Sequence, residues 1–166
     1  MATVVNELIT SAPPQPLASD LCWLLGRVSH ALNTEMTSAL ESSGISPRDH
    51  SVLATAMTGD HTQTDLARMV GLDKTTMVVT VDELEAAGLA ERRPAPGDRR
   101  ARVIKITKAG ERKVSEAEAI LDRVRDDVLS ALPESERESF LLALGRLVCG
   151  RLSEPVPCAH TVRRRG

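Results

Sequence analysis

Residues 62–107 read TQTDLARMVGLDKTTMVVTVDELEAAGLAERRPAPGDRRARVIKIT. Thr62 and Asp65 stand at N-cap spacing ahead of Leu66, Ala67, Met69 and Val70, which predicts a helix that stops near Gly71. Asp73 then caps a second helix that ends at Gly88. Propensity opposes this second assignment, because Thr75 to Val81 is rich in β-branched residues. Met77, Val81, Leu84 and Gly88 nevertheless fall on one helical face between two good caps. Penalties of a few tenths of a kcal/mol per β-branched residue are small beside the burial of such a face. Ala67, Gly71 and Met77 take the positions a helix-turn-helix needs: a small residue at the helix crossing, glycine at the turn, and an apolar anchor on the second helix.

If Met77 and Val81 face the core, a step of about 100° per residue turns Thr75, Val79 and Asp82 outward, with Lys74, Thr76 and Val78 on the flanks. Lys74 and the threonine hydroxyls suit phosphates or base edges, and Val79 suits a thymine methyl. Leu89 to Arg93 and Val103 to Thr107 alternate as two strands of a hairpin, joined by a loop holding Pro94, Pro96 and Gly97. Asp98 stands two residues before Arg100, a spacing at which its carboxylate fixes a guanidinium that projects from the loop. A preset arginine fits a narrow minor groove, while Arg99 and Arg102 reach phosphates. Helix and hairpin together predict a DNA-reading device.

Outside this stretch, residues 1–16 form a Pro-rich, flexible arm. From Leu17 to Leu40 a wide apolar stripe predicts a helix buried on two sides, broken at Ser43-Gly44. Pro47 opens the next helix, which carries His50, Leu53, Ala54 and Met57 and stops at Gly59-Asp60. A long helix from Lys108 carries Val114, Ala117, Ile120, Leu121, Val124, Val128 and Leu132 up to Pro133. Ser135 and Glu138 stand at capping-box spacing for a last helix with Phe140, Leu141, Leu144, Leu147 and Val148. Residues 153–166 form a flexible basic tail ending in Arg163-Arg164-Arg165. The fold class is mainly α with a small β-hairpin wing: a winged helix-turn-helix domain plus a helical dimerisation lobe.

A chain of 166 residues fits one compact unit with tails. One Trp, one Phe and no Tyr argue against single-strand or RNA binding, where bases stack on exposed rings. The net charge of −2 hides segregation: Glu91 to Lys113 holds nine Lys/Arg against three carboxylates, +6 in all, leaving −8 for the remainder. An acidic body with one basic segment predicts a defined docking face for duplex DNA. Cys22, Cys149 and Cys158 lie far apart, and the N-terminus has no basic and apolar leader, so a cytoplasmic protein without a membrane segment is expected. No metal-ligand spacing joins the four histidines to cysteine or carboxylate, and no cofactor is expected.

The segment GLAERRPAPGDRRARVIKIT, with DKTTMVVTVDELEAAG before it, closely resembles the MarR family of winged-helix transcriptional regulators. The order of elements fits over roughly residues 17–152. The resemblance implies that 46–107 is the DNA-binding lobe and that 17–45 and 108–152 supply dimerisation helices. It makes Asp98 and Arg100 the D-x-R hallmark of the wing, and it implies an obligate homodimer reading pseudo-palindromic operators. Where the family often has an arginine in the middle of the recognition helix, this chain has Val79.

Members of the family commonly bind a small effector or sense oxidants through cysteine. Trp23, Arg27 and His50 are candidates for an effector pocket suited to an anionic aromatic ligand, beside the plainer reading of a packed Trp and a satisfied core histidine. Leu21-Cys22-Trp23 resembles the peroxide-sensing branch, which supports its cysteine with tyrosines that this chain lacks. The expected function is a homodimeric, sequence-specific DNA-binding repressor released by a small-molecule effector, with a thiol-based switch at Cys22 as the alternative. A small enzyme lacks support, since there is no G-x-S-x-G, P-loop or H-E-x-x-H. A winged helix used only for protein contacts would show no salt-dependent affinity for duplex DNA.

Overall fold

The computed structural model describes residues 17–154, apart from the side chains of residues 18 and 98–100. The expected arm at 1–16 and nearly all of the expected tail thus lie outside the described residues. A short 3-10 turn, Leu17–Ser19, precedes α1 (Leu21–Ala39), and α2 (Pro47–Ala56), β1 (His61–Thr62), α3 (Gln63–Val70) and α4 (Lys74–Ala86) follow. The wing is β2 (Ala90–Ala95) and β3 (Asp98–Ile106), and α5 (Lys108–Ser130) and α6 (Glu134–Cys149) complete the chain. No helix among the described residues is long and apolar enough to cross a membrane.

The chain divides into two compact units at Val124/Arg125. In the first, α2, α3, α4, the sheet and α5 close around Val52, Leu53, Leu66, Ala67, Met77, Val81, Leu84, Ile104 and Val114. A second cluster joins Leu40 and Ile45 to Ala117 and Leu121 of α5. The helix-turn-helix positions behave as their residue types require. Ala67 and Met77 are buried, and Gly71 takes a left-handed φ of 75° while its N–H caps the Ala67 carbonyl. That conformation strains any residue with a Cβ. The β-branched run is helix, and Thr80 joins Met77, Val81 and Leu84 on the buried face, its hydroxyl donating to the Thr76 carbonyl at 2.9 Å.

Four boundaries depart from expectation. α1 begins at Leu21 because Asp20 caps it, accepting from the Trp23 N–H at 2.6 Å. α2 ends at Ala56, one turn short of Gly59. α6 begins at Glu134 behind Pro133 without a side-chain cap, so the Ser135/Glu138 box does not form. The hairpin is longer than two five-residue strands: β2 and β3 pair from Ala90↔Ile106 to Ala95↔Asp98 with a bulge at Pro94/Ala95. Only Pro96-Gly97 forms the turn, with Gly97 at a φ of 82°. Pro94 is compatible with this because β2 is an edge strand in the order β1-β3-β2. β1 was not expected, being two residues that pair His61↔Ile104 and Thr62↔Val103.

Burial of α1 also differs. Helix α1 has no buried residue, and Leu21, Leu24, Leu25 and Val28 are 37–59% exposed. Among the described residues these four belong to neither core cluster, and Met36 in the last turn of α1 packs on the Leu40 cluster.

Candidate nucleic-acid interface

The candidate interface starts from two capped helices. Thr62 and Asp65 form a reciprocal box on α3: the Asp65 N–H donates to Thr62 Oγ1 at 3.2 Å, and the Thr62 hydroxyl donates to Asp65 Oδ2 at 2.6 Å. On α4, Asp73 accepts from the Thr76 N–H at 2.9 Å and from the Thr76 hydroxyl at 2.5 Å. Both carboxyls are held below the ordinary carboxylate range, first by the threonine hydroxyl and then by the backbone N–H. The caps fix where α4 starts, and so which residues its first two turns present.

Lys74 and Thr75 are exposed at the start of α4, and Val79 is 48% exposed one turn on. Thr76 is half-buried, with its hydroxyl committed as a donor to Asp73. Val78, on the flank, is half-buried too, so Val79 is the outward valine of this face. Arg102 is exposed on β3, in register with Pro94. The side chains of Asp98, Arg99 and Arg100 lie outside the described ones.

Sequence reasoning counted Arg92 in the basic run and gave it no role. In the structure its side chain is about three-quarters buried. Nη1 pairs with Glu85 Oε2, while Nη2 lies 2.7 Å from Asp82 Oδ1 and donates to Gln63 Oε1 at 3.0 Å. The Arg92 backbone N–H donates to Glu85 Oε1 at 2.6 Å. Burial alone favours the neutral guanidine, but the hydrogen bonds and charges of Asp82 and Glu85 outweigh it and raise the pKa above its ordinary value. The available signal was a carboxylate and an arginine seven residues apart across Gly88. Other cations of the run are also paired: Arg93 with Glu91 at 2.5 Å, Lys113 with Glu116 at 3.0 Å, and Lys105 with Asp60.

One hollow of the first unit is lined by residues of the second half of α1 and the segment after it, among them His30, Asn33, Thr37, Glu41 and Ser46. Trp23, Arg27 and His50 do not line it. His50 is buried on α2 with Nε2 2.7 Å from Glu118 Oε2 of α5. Cys22 and Cys149 are exposed free thiols.

Two capped helices packed at a left-handed glycine turn, followed by an antiparallel hairpin, define a winged helix-turn-helix protein. The MarR family model matches residues 43–101. CouR from Rhodococcus jostii RHA1, solved with p-coumaroyl-CoA, is 29% identical over 87% of this chain and 99% of that one, with a TM-score of 0.71. The transcriptional repressor CouR on a 23-mer DNA duplex matches at 24% identity over 80% of this chain and 94% of that one, TM-score 0.73. Apo wild-type MarR from E. coli shares the fold at 19% identity over 77% and 96%, TM-score 0.68. Over residues 43–101 the chain is similar to the MarR family, and over most of its length it is similar to a MarR-family transcriptional regulator from Rhodococcus sp. RHA1, at 29% identity and a TM-score of 0.71. Its fold is that of solved transcriptional regulators.

Proposed function

We propose that the protein is a homodimeric, sequence-specific binder of duplex DNA, a repressor released by a small-molecule effector. The observation that carries this reading is the exposed face of α4, with Lys74, Thr75 and Val79 presented beside the hairpin. A helix fits the major groove of about 12 Å, and a basic hairpin turn fits the minor groove of about 6 Å beside it. In this reading Lys74, Arg99 and Arg102 hold phosphates, and Thr75 and Val79 meet base edges. Thr76, whose hydroxyl donates to Asp73, keeps lone pairs that accept from a base amino group. Arg100 enters the minor groove with Asp98 holding it. Residues 46–107 form the reading lobe, and 17–45 with 108–152 the dimer lobe. The homologue CouR, which has been solved both with DNA and with an acyl-CoA, supports a ligand-released repressor.

The test is a mobility-shift titration on DNA flanking the protein's own gene. Arg100→Ala is expected to weaken binding by about tenfold or more, the range for losing one good groove contact. Affinity should also fall steeply with salt. Unchanged affinity in Arg100→Ala removes the wing from the reading device, and salt-independent binding removes duplex DNA as the partner.

A further inference from the structure

We infer that Arg92 is a positioning residue for DNA reading: its guanidinium fork locks the recognition helix to the wing and neutralises the Asp82 carboxylate on the groove-facing row. The inference rests on the duplex-DNA reading above. Gln63 is the first residue of α3, Asp82 and Glu85 lie in the second half of α4, and Arg92 lies in β2, so one side chain joins three elements. Between α4 and β2 run only Ala87, Gly88 and Leu89, and Gly88 sits at a φ of 69°. That short link sets the angle between the two readers, and the Glu85 carboxylate braces it by accepting from both the Arg92 backbone and its guanidinium.

Charge adds a second reason. Asp82 follows Thr75 by seven residues and Val79 by three, which puts it on their side of the helix. It is 59% exposed, so an unmatched carboxylate there would face the phosphates. Arg92 meets it at 2.7 Å and neutralises that carboxylate. A planar fork is needed for this, since an ammonium cannot serve three acceptors spread over two helices in one plane.

The experiment measures binding to a duplex that the unaltered protein selects from a random-sequence pool, and to a scrambled duplex of the same length, across a salt series. The main variant is Arg92→Gln/Asp82→Asn, which removes one charge of each sign and leaves general attraction to phosphate intact. Its selected-to-scrambled affinity ratio is expected to fall about tenfold, the scale of one mismatched base pair. Affinity for the scrambled duplex and the salt slope should stay at the parent's values. Arg92→Lys, which keeps the charge and loses the fork, should fall part of the way. An unchanged ratio in variants that are folded at the assay temperature overturns the inference, even where their melting point drops. A salt slope shallower by about 0.9 would make Arg92 a phosphate contact and also overturns it. If the double variant does not fold, Arg92→Lys decides by the same ratio. If the unaltered protein selects no duplex, the DNA reading itself has failed; if it selects one and the ratios hold, only the role of Arg92 has.

Discussion

Gly110 shows how one missing methyl group ties two parts of the first unit together. A Cβ at this position would meet the Leu89 carbonyl and come within 2.6 Å of Ile106 Cγ1. Its N–H donates to Thr107 Oγ1 at 3.1 Å, and that hydroxyl donates to the Gly88 carbonyl at 2.8 Å. The first turn of α5 is thereby pressed against the link that leads from α4 into the wing. Gly110→Ala is expected to cost about 1–3 kcal/mol, the range for forcing extra atoms into a filled site, and urea unfolding would measure it. A loss under about 0.5 kcal/mol, the scale of an ordinary surface change, would show that the contact relaxes freely. Residue by residue, the sequence was most legible where chemistry is local. The Thr62 box, the Asp73 cap and the left-handed Gly71 all follow from neighbours within four positions. Arg92 was opaque because its partners reach it from two helices, and a charge run looks the same whether it meets solvent or carboxylates.

At the level of elements, α4 separates pattern from propensity. Its β-branched run makes helix because Met77, Thr80, Val81 and Leu84 bury one face between Asp73 and the glycine at 88. The caps that frame α3 and α4 carry a pH dependence. Thr62 and Thr76 lower the carboxyls of Asp65 and Asp73 below their ordinary value of 3.8, so the folded state binds its protons less tightly than the unfolded chain. The stabilisation is therefore complete above the unfolded value and is lost as pH falls from there through the folded values. Asp73→Asn keeps an acceptor oxygen but removes the titration. Its deficit in urea stability relative to the parent should shrink between pH 5 and pH 3. A deficit that stays constant over that range would mean the charge of Asp73 contributes nothing. Elements defined by caps and periodicity were readable, whereas β1 was not, because two residues carry no alternation. The Ser135 box failed for a different reason: Pro133 already starts the helix before it, and a spacing match alone does not specify where a helix begins.

For the whole molecule, the apolar residues left in the open matter most. On α1, Leu21, Leu24, Leu25 and Val28 are exposed, as are Phe140, Leu141, Leu142 and Val148 on α6. A lone soluble chain rarely leaves such faces bare, and the proposed homodimer would cover them. The protein is expected to sediment at twice its 17.9 kDa. Leu141→Glu, a change at a site 52% exposed in the single chain, should yield folded monomers that bind one half-site weakly. A parent that sediments as a monomer would sink the two-fold reading of the operator. The sequence displayed these stripes clearly, but periodicity cannot tell burial by its own chain from burial by a second copy. The outer edge of the wing carries a separate consequence. Along a strand, alternate N–H groups point the same way, so the outward direction of the Arg92 N–H is shared by position 94. There the residue is proline, which has no N–H, and the Arg92 donor is already held by Glu85. An incoming strand would find two successive donors missing from that edge. The hairpin can therefore stand clear of the body without seeding strand addition and aggregation between molecules.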